Sequence, residues 1–319
     1  MRKFGLLTTL LAGLAATGAQ AQDYPSREIR LICGFPAGSG ADIMYRHIAE
    51  KLSAAAGKPV LVENKPGVQG HLAHVTVAKA KPDGYTLTLQ GGSSLASINF
   101  LLKNPPVDPL KDFDYIGMVL RQGWYLAVDA KSPIKTVAEL TAILKQKGSK
   151  GSYAVSTNTG IVFAELYKAG AGLETVPVNY KTIMDSMNDL AGGNVDMSMT
   201  DPPFTIASLR AGRLRALAVS TGKRVAATPD IPTMEESGIP GIDVDVWWSI
   251  QGPAGMPKPV RDQLGKWIHQ IVTSDDTKKF YAGIGTDPLI GTGEETRALI
   301  IKDMDRWRDW VKRAKIEPQ

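Results

Sequence analysis

Two strand-to-helix junctions carry the chemistry this chain offers, Ile29 to Asp42 and Ser152 to Glu165, and each is crowded with Gly, Ser and Thr. In the first, apolar Ile29, Leu31, Ile32 and Cys33 give way to Phe35-Pro36-Ala37-Gly38-Ser39-Gly40-Ala41-Asp42. Met44, Ile48, Leu52 and Ala56 then recur four apart, as one face of a helix does. In the second, Tyr153 and Val155 lead through Ser156-Thr157-Asn158-Thr159-Gly160 into Ile161-Val162-Phe163-Ala164-Glu165-Leu166. The first N–H groups of a helix lack intrahelical partners and the dipole adds positive character, so small residues there let an anion approach the backbone. The two junctions read as facing clamps for a carboxylate or a phosphate.

Further candidates surround them. Asp42 could hold an ordered water for the anion, and Asp at a helix entrance is equally a routine N-cap. Ser93 and Ser94 follow a strand and two glycines, so their hydroxyls could face a cleft, although turn chemistry explains them as well. Asp201, ahead of Pro202-Pro203, could accept from a ligand hydroxyl or amine, and Asp before Pro is also a common turn. Trp124, Tyr180 and the pair Trp247-Trp248, with Trp124 or Trp247 the expected stacking partner, complete the set; core or hinge packing is the alternative for the tryptophans.

Enzyme chemistry is poorly represented, and no catalytic residue, cofactor or metal is expected. There is no G-x-S-x-G, G-K-[ST] or H-E-x-x-H. His71 and His74 stand three apart on a helical stretch, but no third ligand is near, and a metal needs three or four. The one cysteine, Cys33, sits in a strand expected to be buried, where packing explains it. A dinucleotide-binding oxidoreductase is the rival enzyme reading: Gly38-Ser39-Gly40 opens a helix and Glu63 ends the next strand. Against it, Ile43 replaces the third glycine and three residues separate the strand from the first.

The elements that must position these residues alternate. Strands are expected at Arg30 to Gly34, Val60 to Glu63 and Thr86 to Leu89, with helices running to Ala56 and from about Leu72 to Ala80. An extended stretch near Gln122 to Asp129 precedes a second series: strands at Ser152 to Val155, Val176 to Tyr180, Val195 to Met199 and Leu214 to Ser220. Thr136-Val137-Ala138-Glu139 is a capping box whose helix Gly148 closes. Ile242 to Ile250 is a second extended crossing, followed by amphipathic helices at Val260 to Val272 and Glu295 to Ala314. The pattern predicts an α/β protein of two domains, each a mostly parallel sheet flanked by helices, joined by two crossover segments around a ligand cleft. The boundaries expected are a signal peptide at 1–21, a first domain at 22–123 and 246–319, and an inserted second domain at 124–245.

Arg2 and Lys3, the apolar run Phe4 to Ala16 and the small residues Ala19-Gln20-Ala21 form a cleavable secretory signal, too short to span a bilayer. Losing Arg2 and Lys3 lowers the formal charge from +5 to +3. No basic cluster studded with aromatics points to nucleic acid.

Taken in order, several pieces resemble the periplasmic solute-binding proteins of tripartite tricarboxylate transporters, the Bug family. They are Tyr24-Pro25-Ser26-Arg27, Phe35-Pro36-Ala37-Gly38, Lys81-Pro82-Asp83-Gly84-Tyr85, Leu190-Ala191-Gly192-Gly193-Asn194-Val195-Asp196, Pro229-Asp230-Ile231-Pro232-Thr233 and Gly252-Pro253-Ala254-Gly255-Met256-Pro257. The resemblance implies a periplasmic-binding-protein (Venus flytrap) fold that holds a small carboxylate and delivers it to membrane permease subunits. A periplasmic monomer is expected. It places one carboxylate on the loop of Phe35, Ala37, Gly38, Ser39, Gly40, Ala41 and Asp42, and assigns Ser156 to Gly160 and Asp201 to the other domain. The sequence departs from the family where Ile161, Val162 and Phe163 replace more polar positions; if one of them lines the cleft, a ligand with an apolar body, such as an aromatic acid or a dicarboxylate, is expected, and if all three pack inward they say nothing of the ligand. A ligand-sensing receptor would use the same fold.

Overall fold

The computed structural model describes residues 24–67 and 70–318; the expected signal segment lies outside them. The chain first lays down β1 (Ile29–Cys33), α1 (Gly40–Ala56), β2 (Val60–Asn64), α2 (His71–Ala78), β3 (Thr86–Gly91), α3 (Gly92–Leu101) and the long β4 (Phe113–Gly123). After Trp124 come β5 (Tyr125–Asp129), α4 (Val137–Lys147), β6 (Ser152–Val155), α5 (Asn158–Ala171), β7 (Val176–Asn179), α6 (Met187–Gly192), β8 (Met197–Thr200), α7 (Pro202–Arg210) and β9 (Leu214–Val219). The return is β10 (Asp245–Pro253), α8 (Lys258–Thr273), α9 (Asp275–Ile284), β11 (Asp287–Pro288) and α10 (Gly293–Arg313).

These strands build two sheets, ordered β11-β4-β10-β3-β1-β2 and β7-β6-β8-β5-β9. The expectation of mostly parallel sheets needs correction, because both are mixed. β2, β1 and β3 are parallel, whereas β10 is antiparallel to β3 and β4 and β11 is antiparallel to β4. In the second sheet β7, β6 and β8 are parallel and β5 is antiparallel to both its neighbours. The crossings are the cause. β4 runs with β3 towards the gap between the sheets, and one residue later β5 enters the second sheet from that gap, so it must run outward. β10 makes the reverse crossing and is antiparallel for the same reason.

The same topology fixes where the helices begin. α1, α3, α5 and α7 follow β1, β3, β6 and β8, whose C-terminal ends face the gap, so four helix N-termini point into it. Local chemistry stops and starts them. Ser39 caps α1 by accepting the Asp42 N–H at 3.3 Å, and Gly57 ends it at φ +65°. Capping boxes at Thr136/Glu139 and Thr292/Glu295 start α4 and α10. α8 and α10 pack on β4 and so cover the first sheet. One apolar core, from Ile29, Tyr45 and Leu52 through Trp248 and Trp124 to Tyr153 and Phe163, runs through both halves.

Candidate ligand-binding cleft

The first loop is braced from within. Asp42 is buried: its Oδ2 accepts from the Gly38 N–H at 2.9 Å and from Arg46 Nε at 2.8 Å, and its Oδ1 accepts from Asn64 at 2.8 Å. Asn64 also donates to the Phe35 carbonyl at 3.0 Å. Burial raises the Asp42 pKa, but the bonds from Arg46, Asn64 and Gly38 outweigh it and hold the carboxyl below its ordinary value. The N-cap is Ser39 rather than Asp42, which sits one turn in and ties the loop down. Ala37 and Gly38 are exposed; Phe35, Ser39, Gly40 and Ala41 are half-buried. Gly38 has φ +80°, a backbone geometry that suits glycine.

The second half meets this loop directly. Asp201 caps α7, its Oδ1 accepting the Phe204 N–H at 3.1 Å, and that oxygen lies 2.5 Å from where a Cβ on Gly40 would stand. Pro203 is 3.1 Å from the same point. Burial pushes the Asp201 carboxyl up to about 6, against the lowering effect of its backbone bonds. Asp201 and Gly40 therefore mark a place where the two halves close on each other. Nearby, α5 begins at Asn158, earlier than Ile161, and Thr157 is its cap, accepting the Gly160 N–H at 3.2 Å. Ser156, Thr157 and Asn158 are half-buried, and Thr159 and Gly160 are buried. Val162 and Phe163 point into the core; only Ile161 of that apolar trio keeps partial exposure.

At the crossings, strand alternation separates the two adjacent tryptophans. Trp248 turns toward α1, with its ring 5.9 Å from Phe35 and 6.4 Å from Tyr45. Trp247 turns the other way, packs over Gly92 and donates to Asp303 at 3.2 Å. The Trp247 expectation is thus corrected: Trp248 is the indole beside the first loop. Ser93 is corrected too. It opens α3 rather than a turn, is buried, and its hydroxyl donates to Asp303 at 3.3 Å. Ser94 is half-buried in the same first turn. Trp124 is buried with its ring 3.5 Å from the Gly160 Cβ position, and Tyr180 bonds Asp189 at 2.7 Å.

Other chemistries find little support among the described residues. No three His, Cys, Asp or Glu come together as metal ligands there, and His71 and His74 are buried, with burial driving their pKa values down to about 4 and about 3. Glu63 is engaged by Arg30 and Lys65, so it does not stand free for a ribose. No described helix is long and apolar enough to cross a membrane.

The comparisons agree with this architecture. The family model described as "Tripartite tricarboxylate transporter family receptor" matches residues 44–316. The chain is 30% identical over 306 residues to Protein BugT of Bordetella pertussis, covering 94% of this chain and 93% of that one. Among solved structures, R. palustris Rpa4515 with adipate superposes with a TM-score of 0.89 at 30% identity, covering 93% of this chain and all of that one. The periplasmic binding protein BugD gives 0.86 at 30% identity, with coverage of 93% and 100%.

Proposed function

The chain belongs to the tripartite tricarboxylate transporter receptor family, and from that premise we propose that it captures a small carboxylate between its two halves and presents it to membrane permease subunits. The observation that carries the reading is the meeting of α1 and α7: a glycine-rich helix start, with Asp42 tied down by Arg46 and Asn64, is covered by Asp201 and Pro203 of the opposite half. One carboxylate end rests on the first N–H groups of α1, those of Gly40 and Ala41, where the helix dipole offsets its charge without a lysine or arginine. Ser156 to Gly160 and Asp201 then complete the site on closure, so their contacts set the closed population. The signal segment expected at 1–21 supports capture in the periplasm, and the proposal takes the chain to act as a monomer.

The relative solved with adipate supports a ligand with an apolar body, and Ile161, half-exposed at the start of α5, supports it again. An aromatic acid or a dicarboxylate fits this better than a hydroxylated tricarboxylate, because burying an unpaired hydroxyl costs about 1 to 3 kcal/mol. A thermal-shift panel of benzoate, terephthalate, adipate, malate and citrate against the chain from Gln22 onward tests the reading. At least one acid is expected to raise the melting temperature, since a ligand of the native state alone stabilises it. A panel in which none does so would remove carboxylate capture, and preference for malate or citrate over the rest would remove the apolar-bodied ligand.

A further inference from the structure

We propose that the floor of the cleft, where the chain crosses between the sheets, is a terminal subsite made by the indoles of Trp124 and Trp248 with the amide of Gln122. It takes the second acceptor group of a flat, apolar-bodied acid. The inference rests on the reading of the cleft as a carboxylate site and names the residues that select within that class.

Placement brings the three together. On the β4–β10 ladder Gln122 pairs with Val246 and Leu120 with Trp248, so Gln122 and Trp248 share one face, the face toward α1. Trp124 follows Gln122 by two residues along the crossing chain. All three are nearly sealed, at 4%, 5% and 5% exposure for Gln122, Trp124 and Trp248. Yet the Nε1 of each indole and the Oε1 of Gln122 have no hydrogen-bond partner among the described residues. Buried indole N–H groups normally find an acceptor, as Trp247 does on Asp303. Trp307 Nε1 is also unpartnered, but that ring lies within α10 against Trp310.

A second feature points the same way. Trp248 Cε2, the ring carbon bonded to Nε1, is 3.9 Å from the Gly91 Cβ position, and Gly91 is the N-cap of α3, with no side-chain cap bond. The indole ring therefore lies beside the start of α3. Two neutral donors and a helix start suit a carboxylate or carbonyl oxygen, while Phe35 and the ring faces suit a planar carbon skeleton. A hydroxyl-rich end would find only the Gln122 oxygen as an acceptor. The subsite thus separates diacids from monoacids of the same body.

The test is calorimetry on wild type, Trp124→Phe and Trp248→Phe with two matched pairs, terephthalate with benzoate and adipate with hexanoate. Phenylalanine keeps an aromatic face and removes the N–H. Wild type is expected to prefer the diacid in at least one pair. Each variant should lose about 10-fold in diacid affinity, the worth of one hydrogen bond, with the monoacid within about threefold. A diacid-to-monoacid ratio unchanged in both variants would overturn the subsite, as would a parallel loss for both acids. Melting curves identify folded variants, and either one alone carries the test. Wild type that binds malate or citrate but none of the four probes overturns the subsite and leaves carboxylate capture standing; wild type that binds no carboxylate overturns both.

Discussion

At the level of single residues, the first loop contains two glycines that the sequence makes look alike and the structure makes different. A Cβ on Gly38 would meet nothing within 4 Å, so Gly38→Ala meets only the strain of φ +80°, about 1 kcal/mol. A side chain on Gly40 would run into Asp201 and Pro203. Gly40→Leu is therefore expected to hold the halves apart and lower carboxylate affinity at least 100-fold with the melting temperature of the free protein little changed; Gly38→Ala should lose far less. Calorimetry on both variants checks this, and equal losses would contradict the geometry.

Asp201 supplies a pH signature. Its carboxyl is raised from 3.8 to about 6, first by burial, so the folded state favours the protonated form. The stability it contributes is fully present below its unfolded pKa and is lost as pH rises through about 6. Carboxylates held low, such as Asp42 and Glu63, have the opposite slope, and Asp303 is raised to about 6 like Asp201. The difference between wild type and Asp201→Asn isolates the group, because Asn keeps the cap. Denaturant melts should show the variant gaining on wild type as pH goes from about 4 to about 7. A flat difference would mean that the desolvated carboxyl at Gly40 does not form in solution.

The elements show why part of this site was legible in the sequence and part was not. Capping chemistry is local, so Thr136/Glu139 and Thr292/Glu295 could be read from spacing alone, whereas at α1 and α5 the caps are Ser39 and Thr157 instead of the expected Asp42 and a start at Ile161, because several residues in each loop could serve as caps. α3 was hidden because Gly91 and Gly92 imitate a turn. They are small for a different reason: Trp247 lies over Gly92. The Trp247-Trp248 pair shows what a period of two can and cannot give. It says that the rings face opposite ways, but which ring faces the ligand depends on the partner strand and on Asp303 in α10, remote in sequence. Trp247→Phe should leave Asp303, also bonded by Ser93 and Arg306, short of one buried donor and cost about 1 to 3 kcal/mol in urea melts. Ligand preference should not change; if it did, Trp247 would belong to the cleft after all.

For the whole molecule, the two crossings decide the architecture. Each enters a sheet from the gap, which makes both sheets mixed and leaves the helix N-termini facing across that gap. Alternating strand and helix signals were enough to expect two α/β layers with a cleft, but not the reversed strands, since strand direction follows from where the chain crosses. The N-termini of α1 and α7 touch, and α5 and α10 pack together, as a closed form requires. Small-angle scattering is expected to show a smaller radius of gyration when the acid that best stabilises the protein is added. An unchanged radius would argue that binding does not close the cleft.

The most direct measurement is calorimetric titration of wild type and Gly40→Leu with terephthalate, benzoate, adipate, malate and citrate. The expected result is that at least one of these acids binds wild type with one site per chain and is lost from Gly40→Leu while that variant stays folded. If no carboxylate bound the folded wild type, or if the acid that bound it bound Gly40→Leu equally well, capture of a carboxylate between the α1 and α7 helix starts would be contradicted.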